Sequence, residues 1–505
     1  MNPRRTLDAF LNNITMYRLV LYGLIVIAGA GLLNSFLGNM SLSGVGLLIS
    51  LGLLAATSYV AHLFFRSMWS VTTNTESWLI TVLILFCILP PVTTVQRGLA
   101  VVAAAILAVG SKYVLAWHRK HIFNPAAFGA FAVGILGLVH ATWWAGSAAM
   151  LPFTVIVGLL IVRKMRKFYM FGAFVAASII MLLAVGIHND RTLTTVLWQA
   201  IASGPLIFLG TVMLTEPSTT PPRVSQQLIY GIVVGVVFTS QLNWGILSTT
   251  PALALLIGNI LAYVGSSKSK VRLKLQQIQQ LSAQVYDFTF VPERPIQHLP
   301  GQYMEWTLPV SHADNRGNRR TFTIASSPTE NVVHLGAKFY EPSSSFKKVL
   351  RTLQPGDYIQ GGQIAGSFTL PTDASQKMVW IAGGIGITPF RSMLAYLIDK
   401  QEKRDIVIFY AVAKPEEVSY QEVCKAAEAY GVKTIPVLGS DIVPADWRGK
   451  TGFITKDMIM QEVPDYQQRT FYLSGPNAMV EHYKDAVRGM HIPKRCIKTD
   501  YFSGY

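Results

Sequence analysis

The chain has 505 residues, of which 51% are hydrophobic and 14% charged, with a formal net charge of +16. That length allows roughly two to four domains. Three cysteines without CxxC spacing (Cys87, Cys424 and Cys496) exclude a four-thiolate iron–sulfur cluster and argue against a disulfide framework. The positive charge lies in loops and flanks, which suits a membrane surface or a phosphate-bearing ligand; no basic aromatic platform points to nucleic acid.

Acids are nearly absent between Leu19 and Gly265, where Glu76, Asp190 and Glu216 stand alone. Apolar runs long enough to cross a ~30 Å hydrocarbon core recur throughout this region. They read as about ten spans, at 19–37, 44–65, 78–95, 99–117, 126–142, 148–162, 168–187, 194–214, 226–242 and 249–265. The first span follows a basic start without a cleavage site, so it reads as a span and not as a removed leader. With the N-terminus inside, the inner segments hold Arg4, Arg5, Arg18, Arg66, Arg119, Lys120, Arg163, Lys164, Arg166, Lys167, Arg223, Lys268, Lys270, Arg272 and Lys274, against Arg97 and Arg191 outside. With an even number of spans, the positive-inside rule then places the C-terminal half on the cytoplasmic side; the expected setting is a bacterial inner or plasma membrane.

Two segments depart from generic spans. Lys120–Gly129 (KHIFNPAAFG) puts Asn124-Pro125 at a helix entrance, and Met213–Pro222 (MLTEPSTTPP) puts Thr215, Glu216 and several hydroxyls at a helix exit. Capping accounts for either alone, since Asn caps helices and Pro begins them. Together they resemble the RnfD/NqrB family of ten-helix flavin-carrying membrane subunits, over residues 15–265. The resemblance implies a second flavin, FMN or riboflavin, in this half. Its covalent form attaches to a Thr in an S-G-A-T-like motif; the nearest equivalent here is Thr195, in HNDRTLTTVL, without the preceding Ser, Gly and Ala. Haem is the competing membrane cofactor and needs paired histidines on facing helices. Of His62, His118, His121, His140 and His188, only His62 falls well inside a span.

A basic, Gln-rich linker follows, and from Lys274 the pattern becomes short alternating strands with turns at Pro300-Gly301, 315–318 and Pro355-Gly356. That rhythm predicts a small antiparallel barrel. After Gln376 it becomes strand, helix, strand: MVWIAGG, a helix from Pro389 to Glu402, IVIFYAV, a helix from Tyr420 to Tyr430, TIPVL, FYLSG and a helix from Asn477 to Arg488. This predicts an open α/β sheet. The turn Gly383, Gly384, Gly386, Thr388 and Pro389 lies between an apolar strand and a helix, where backbone N–H groups can approach a pyrophosphate.

Barrel and α/β sheet in this order resemble the ferredoxin–NADP reductase (FNR-like) superfamily, over about residues 272–505. The resemblance implies FAD on the strand Arg320-Thr321-Phe322-Thr323: Arg320 at the pyrophosphate, Phe322 against the isoalloxazine ring and Thr323 near flavin N5. It places Ser344 and Ser345, at the helix start in SSSFKKVL, on the FAD pyrophosphate, although a plain N-cap reads equally well. It places the glycine turn on NADH or NADPH, together with Ser474, Gly475, Pro476 and Met479 of SGPNAM. Ser474 stands where relatives carry a Cys beside the nicotinamide. A terminal aromatic, Phe502 or Tyr505, then covers the flavin. Lys414 suits a 2′-phosphate, whereas Glu416 and Glu417 favour NADH.

The expected architecture is a polytopic α-helical membrane domain (1–267), a β-barrel FAD domain (268–373) and an α/β NAD(P)H domain (374–505). The expected activity is NAD(P)H oxidation through FAD, with Thr323 and Ser474 at the hydride path and no metal. Electrons then leave toward a membrane flavin, a quinone or an extracytoplasmic acceptor such as a flavoprotein. The alternatives are a haem-type transmembrane ferric reductase or NADPH-oxidase-like enzyme, and a transporter or sensor regulated by its FNR-like domain.

Overall fold

The computed structural model describes residues 7, 11, 14–69, 76–117, 120–188, 192–198, 201, 204–221, 223–240, 242–244, 247–265, 270–310, 318–439, 443–445 and 447–502. The chain divides into two compact units, Met1–Ser269 and Lys270–Tyr505.

The first unit is helical: α1 (Met16–Phe36), α2 (Gly44–Trp69), α3 (Glu76–Ile88), α4 (Val95–Val114), α5 (Pro125–Ile135), α6 (Leu151–Met165), α7 (Phe168–His188), α8 (Leu193–Trp198), α9 (Leu206–Phe208), α10 (Val224–Thr239) and α11 (Pro251–Gly265). Thr15 and Thr94 start α1 and α4 as N-caps, each accepting from the backbone N–H three residues on. Among the described residues, five helices are long and apolar enough to cross a membrane: Met16–Phe36, Gly44–Met68, Val95–Val114, Ala148–Met165 and Phe168–Ile187. Four more apolar helices are shorter. Large apolar side chains such as Val60, Ile156, Ile180 and Ile229 point outward from these helices, a surface that suits lipid.

The shorter helices show where apolar runs and helices part company. The run 78–95 is helical only to Ile88, because Pro90 and Pro91 stop the hydrogen-bond ladder. The Ile88 carbonyl, orphaned there, accepts from Thr142 N at 2.8 Å and Trp143 N at 3.1 Å. Trp144 Nε1 likewise donates to Phe86 O at 2.7 Å. The run 126–142 is helical over Pro125–Ile135, so its second half is the returning segment that makes these bonds. The run 194–214 is broken before Pro205 and ends as a π-helix over Leu209–Met213.

The second unit holds two sheets. The first comprises β1 (Val271–Gln280), β2 (Val285–Pro292), β3 (Tyr303–Thr307), β4 (Arg319–Thr323), β5 (Val333–Lys338) and β6 (Tyr358–Ala365), with helix α12 (Ser345–Thr352). Its order is β4-β3-β6-β1-β2-β5, antiparallel throughout. Alternation places Val271, Leu273, Leu275, Phe288, Phe290, Trp306 and Leu335 in one core. The two edge strands do not pair; the chain leaving β4 reaches β5 through Ala325 N to His334 O at 2.9 Å. The expected barrel is therefore a half-barrel.

The second sheet is parallel: β7 (Met378–Gly383), β8 (Ile406–Val412), β9 (Val432–Leu438), β10 (Lys450–Thr451), β11 (Thr470–Pro476) and β12 (Ile497–Phe502), in the order β10-β9-β8-β7-β11-β12. Every residue of β7 is buried, as befits a central strand covered on both faces. Helices α13 (Thr388–Asp399), α14 (Gln421–Ala426), α15 (Lys456–Glu462) and α16 (Asn477–Arg488) accompany it. The chain runs outward from β7 to β8 and β9, then returns to place β11 on the other side. That reversal creates a crevice at the carboxyl ends of β7 and β11.

Buried polar contacts join the two sheets. Arg391 on α13 forks onto Glu330 in the β4–β5 turn, Nη2 to Oε1 at 2.9 Å and Nη1 to Oε2 at 2.5 Å. Tyr420 donates its hydroxyl to Asp287 of β2 at 2.8 Å, and the same carboxylate contacts His334 Nδ1 at 2.5 Å. Ser392 Oγ donates to Ser326 O at 2.6 Å.

Candidate functional site

The glycine turn fills the crevice at the end of β7. Gly384 has φ +51°, a left-handed conformation that a Cβ would strain. Gly386 lies flat against the end of β11: a Cβ there would collide with Ser474 O and would stand 2.7 Å from Gly475 Cα. A Cβ on Gly383 would meet Met479 on α16. Thr388 Oγ1 donates to Ile385 O at 3.0 Å, and Pro389 occupies the first turn of α13, where a missing N–H costs nothing. Gly383, Gly384, Gly386, Thr388, Pro389, Ser474, Gly475, Pro476 and Met479 thus come together. Beside them opens a cleft of about 920 Å³, lined also by Lys338, Glu417, Phe453 and His482.

On the other sheet, β4 presents Arg320, Thr321, Phe322 and Thr323 in alternation, with Thr321 exposed and Thr323 buried. The Arg320 guanidinium donates to Arg319 O at 2.7 Å and sits 5.3 Å from the ring centre of Phe346 on α12. Phe346 in turn packs against Phe322, 5.7 Å between ring centres. Ser344 caps α12, accepting from Lys347 N at 3.3 Å, and Ser345 begins the helix. Arg320 is thereby held by the first turn of α12, where a fixed fork of donors and a helix N-terminus both favour an anion.

Two buried hydroxyls, Thr323 Oγ1 and Ser474 Oγ, have no hydrogen-bond partner among the described residues. A buried hydroxyl left this way is costly unless a bound group completes it. Asp500 on β12 stands in register beside Ser474. Burial pushes its carboxyl up to about 6, while the neighbouring Thr323 hydroxyl pulls the other way without reaching the geometry of a formed hydrogen bond. These residues fit a flavin: a guanidinium and helix start for its phosphates, an aromatic side chain on the same strand, and the unpaired Thr323 hydroxyl for its polar ring edge. Tyr505 lies outside the described residues, as does the side chain of Phe502.

Sequence reasoning missed Asp500 and the Lys338–Glu417 pair, an acid in the last alternating run and two charges 79 positions apart. Of the three charges after β8 weighed for nucleotide choice, Glu417 lines the cleft.

In the first unit, the two unusual segments meet. Asn124 Oδ1 caps α5, accepting from Ala127 N at 3.0 Å, while its Nδ2 donates to Glu216 Oε2 at 2.8 Å. Asn259 on α11 accepts from Asn124 N at 2.8 Å and donates to the Tyr230 hydroxyl at 3.0 Å. His121 Nε2 lies 3.5 Å from Glu216 Oε1. Lys112 Nζ donates to Ser77 O at 2.8 Å and Ser77 Oγ at 2.9 Å. Lys112, Asn124 and Glu216 line one small cavity of about 50 Å³. Thr195 is exposed on α8, its hydroxyl 2.7 Å from that of Thr192.

Residues 380–485 match the family of the oxidoreductase NAD-binding domain. The chain is 26% identical over 234 residues to the phenol hydroxylase P5 protein of Acinetobacter pittii, covering 45% of this chain and 64% of that protein. It is 26% identical over 216 residues to a flavohemoprotein of Bacillus cereus, covering 40% and 53%. Among solved structures, it is 23% identical to the cytochrome P450 reductase GcoB of Amycolatopsis, with a TM-score of 0.42, covering 46% of this chain and 69% of that one. The chain spans between about half and two thirds of the length of these curated relatives. Residues 380–485 of the second unit thus match an oxidoreductase NAD-binding domain and follow an antiparallel sheet in the chain.

Proposed function

We propose that this protein is a membrane-bound NAD(P)H-dependent flavin oxidoreductase. Residues 268–373 hold FAD, 374–505 hold the nicotinamide dinucleotide, and 1–267 form a ten-span RnfD/NqrB-like domain that receives the electrons. The observation that carries this reading is the juxtaposition of the glycine turn with Ser474 and Asp500, a crevice at which dinucleotides bind in open α/β sheets. The relatives support it by their names, reductase components and flavohemoproteins among them.

FAD, when bound, accepts two electrons as a hydride and can pass them on singly. The chain's residues supply the rest. Arg320 and the start of α12 neutralise the FAD pyrophosphate. Phe322 backs the ring, and Thr323 offers its unpaired hydroxyl to a ring heteroatom. The glycine turn and α13 N–H groups bind the dinucleotide pyrophosphate. Ser474 and Met479 orient the nicotinamide, and Asp500, its carboxyl pushed up to about 6 by burial, stands close to the Thr323 hydroxyl. Orientation is the main catalytic contribution here, since fixing two reactants in place removes much of the entropic barrier.

The membrane half carries a second flavin, FMN or riboflavin, and delivers to a quinone or an extracytoplasmic acceptor; the FNR-like module faces the cytoplasm. The joined Asn124–Glu216 segments support the RnfD/NqrB resemblance. Acid precipitation of the purified protein tests this reading. FAD in the supernatant, flavin bleaching by NADH or NADPH, and a further flavin in either fraction are expected. Colourless protein that ignores both nucleotides overturns it.

A further inference from the structure

The dinucleotide cleft carries a charge pair that the reading above leaves without a task. Lys338 ends β5 of the half-barrel, and Glu417 follows β8 of the parallel sheet, so the pair spans the cleft from one sheet to the other. Nζ stands 3.0 Å from Oε1, and the two side chains are 23% and 13% exposed. Among the described lining residues Lys338 is the one Lys or Arg and Glu417 the one acid.

A nicotinamide dinucleotide brings two phosphate charges into this space. Lys338 is the side-chain cation at hand, and Glu417 already neutralises it. Its backbone is held in place: Lys347 Nζ donates to Lys338 O at 2.7 Å while resting over the Tyr340 ring, 4.2 Å from its centre. An ammonium on a four-carbon stem can turn its three donors to a new anion without moving that backbone. Glu417 sits at the carboxyl end of the strand after the glycine turn, where an acid accepts from ribose hydroxyls in open α/β sheets.

We propose that Lys338–Glu417 is an exchange latch on the nucleotide cleft. It bridges the cleft before binding; on entry of the dinucleotide Lys338 transfers to the pyrophosphate, and Glu417 is left facing the ribose. The latch rests on the nucleotide-binding reading of this unit. Each binding event therefore gives up one ion pair, and the carboxylate opposes any extra phosphate on the ribose.

The test is titration of the full-length, detergent-solubilised, FAD-loaded protein with ADP-ribose, read by flavin absorbance or fluorescence, with FAD content and melting temperature recorded for every variant. Glu417→Gln releases the lysine and is expected to tighten ADP-ribose about three- to tenfold, with a larger gain for NADPH than for NADH. Lys338→Gln is expected to weaken ADP-ribose about tenfold. The double variant is expected to bind ADP-ribose about as weakly as Lys338→Gln, because the tightening in Glu417→Gln comes from the lysine it frees. Glu417→Asp, which keeps the charge but shortens the reach, is expected to tighten binding by a smaller factor and serves if Glu417→Gln fails to fold. Weaker binding in Glu417→Gln and Glu417→Asp, or additive effects in the double variant, overturns the latch alone. Wild-type protein that retains FAD yet binds neither ADP-ribose nor NADH overturns the nucleotide reading and the latch with it.

Discussion

Gly386→Ala is the sharpest probe of the crevice. One added methyl meets Ser474 O and lies 2.7 Å from both Ser474 C and Gly475 Cα. All three are backbone atoms, so no flexible side chain can swing aside, and the glycine turn and the end of β11 must separate. Overpacking of this size costs about 1–3 kcal/mol. If that cost falls on nucleotide binding, at about 1.4 kcal/mol per tenfold, the NADH dissociation constant rises roughly 5- to 100-fold. Gly384→Ala is the matched control. It meets nothing within 4 Å but must adopt φ +51°, so it carries backbone strain of about 1 kcal/mol and leaves the glycine turn and β11 in contact. The assay is anaerobic flavin bleaching against NADH concentration at constant FAD content. Wild-type NADH affinity and melting temperature in Gly386→Ala would refute the close approach on which the crevice is built.

Arg320→Ala is expected to lose most of its FAD on purification, measured as the ratio of flavin to protein absorbance, since its guanidinium is the charged donor beside the α12 start. Asp500→Asn tests the raised carboxyl. The group moves from 3.8 to about 6 in the folded chain, so the folded state holds its proton more tightly than the unfolded state. Its contribution is neutral below about pH 4, and the folded state loses stability as pH rises toward 6. The full shift corresponds to about 3 kcal/mol, and partial solvent access reduces the expectation to about 1–2 kcal/mol. Thermal denaturation should show Asp500→Asn more stable than wild type at pH 8 and close to it at pH 4; the same difference at both pH values would mean the carboxyl titrates normally.

Much of the second unit was legible because its signals are local. Met378–Ala382 is apolar at every position and ends on glycines, which reads as a central strand feeding a tight turn. Helix Asn477–Arg488 has the bounds read from sequence, with Pro476 ahead of it and Gly489 behind. The strand rhythm reads as an antiparallel barrel, and the sheet stops at a half-barrel because edge pairing between β4 and β5 depends on curvature, which alternation does not encode. Asp500 went unread for a similar reason: its meaning comes from parallel pairing with a strand some 26 residues earlier. In the first unit, hydropathy extends through Pro90-Pro91 and through Gly204-Pro205, whereas backbone hydrogen bonds do not. Apolar length therefore overstates helix length wherever a returning segment can satisfy the freed carbonyls, as 142–143 does for Ile88.

The fork of Arg391 on Glu330 bears on how this protein can be cut. Severing the chain near residue 373 would strand a guanidinium that is 9% exposed and bare the Tyr420 hydroxyl together with the Asp287 carboxylate. Water would then hydrate these groups, so the loss is that of their mutual hydrogen bonds, about 1.5–3 kcal/mol for one to a charged group. The parallel sheet and the half-barrel are thus pinned to each other by polar contacts, and an expressed fragment that keeps only one of them should melt at a lower temperature than the two together.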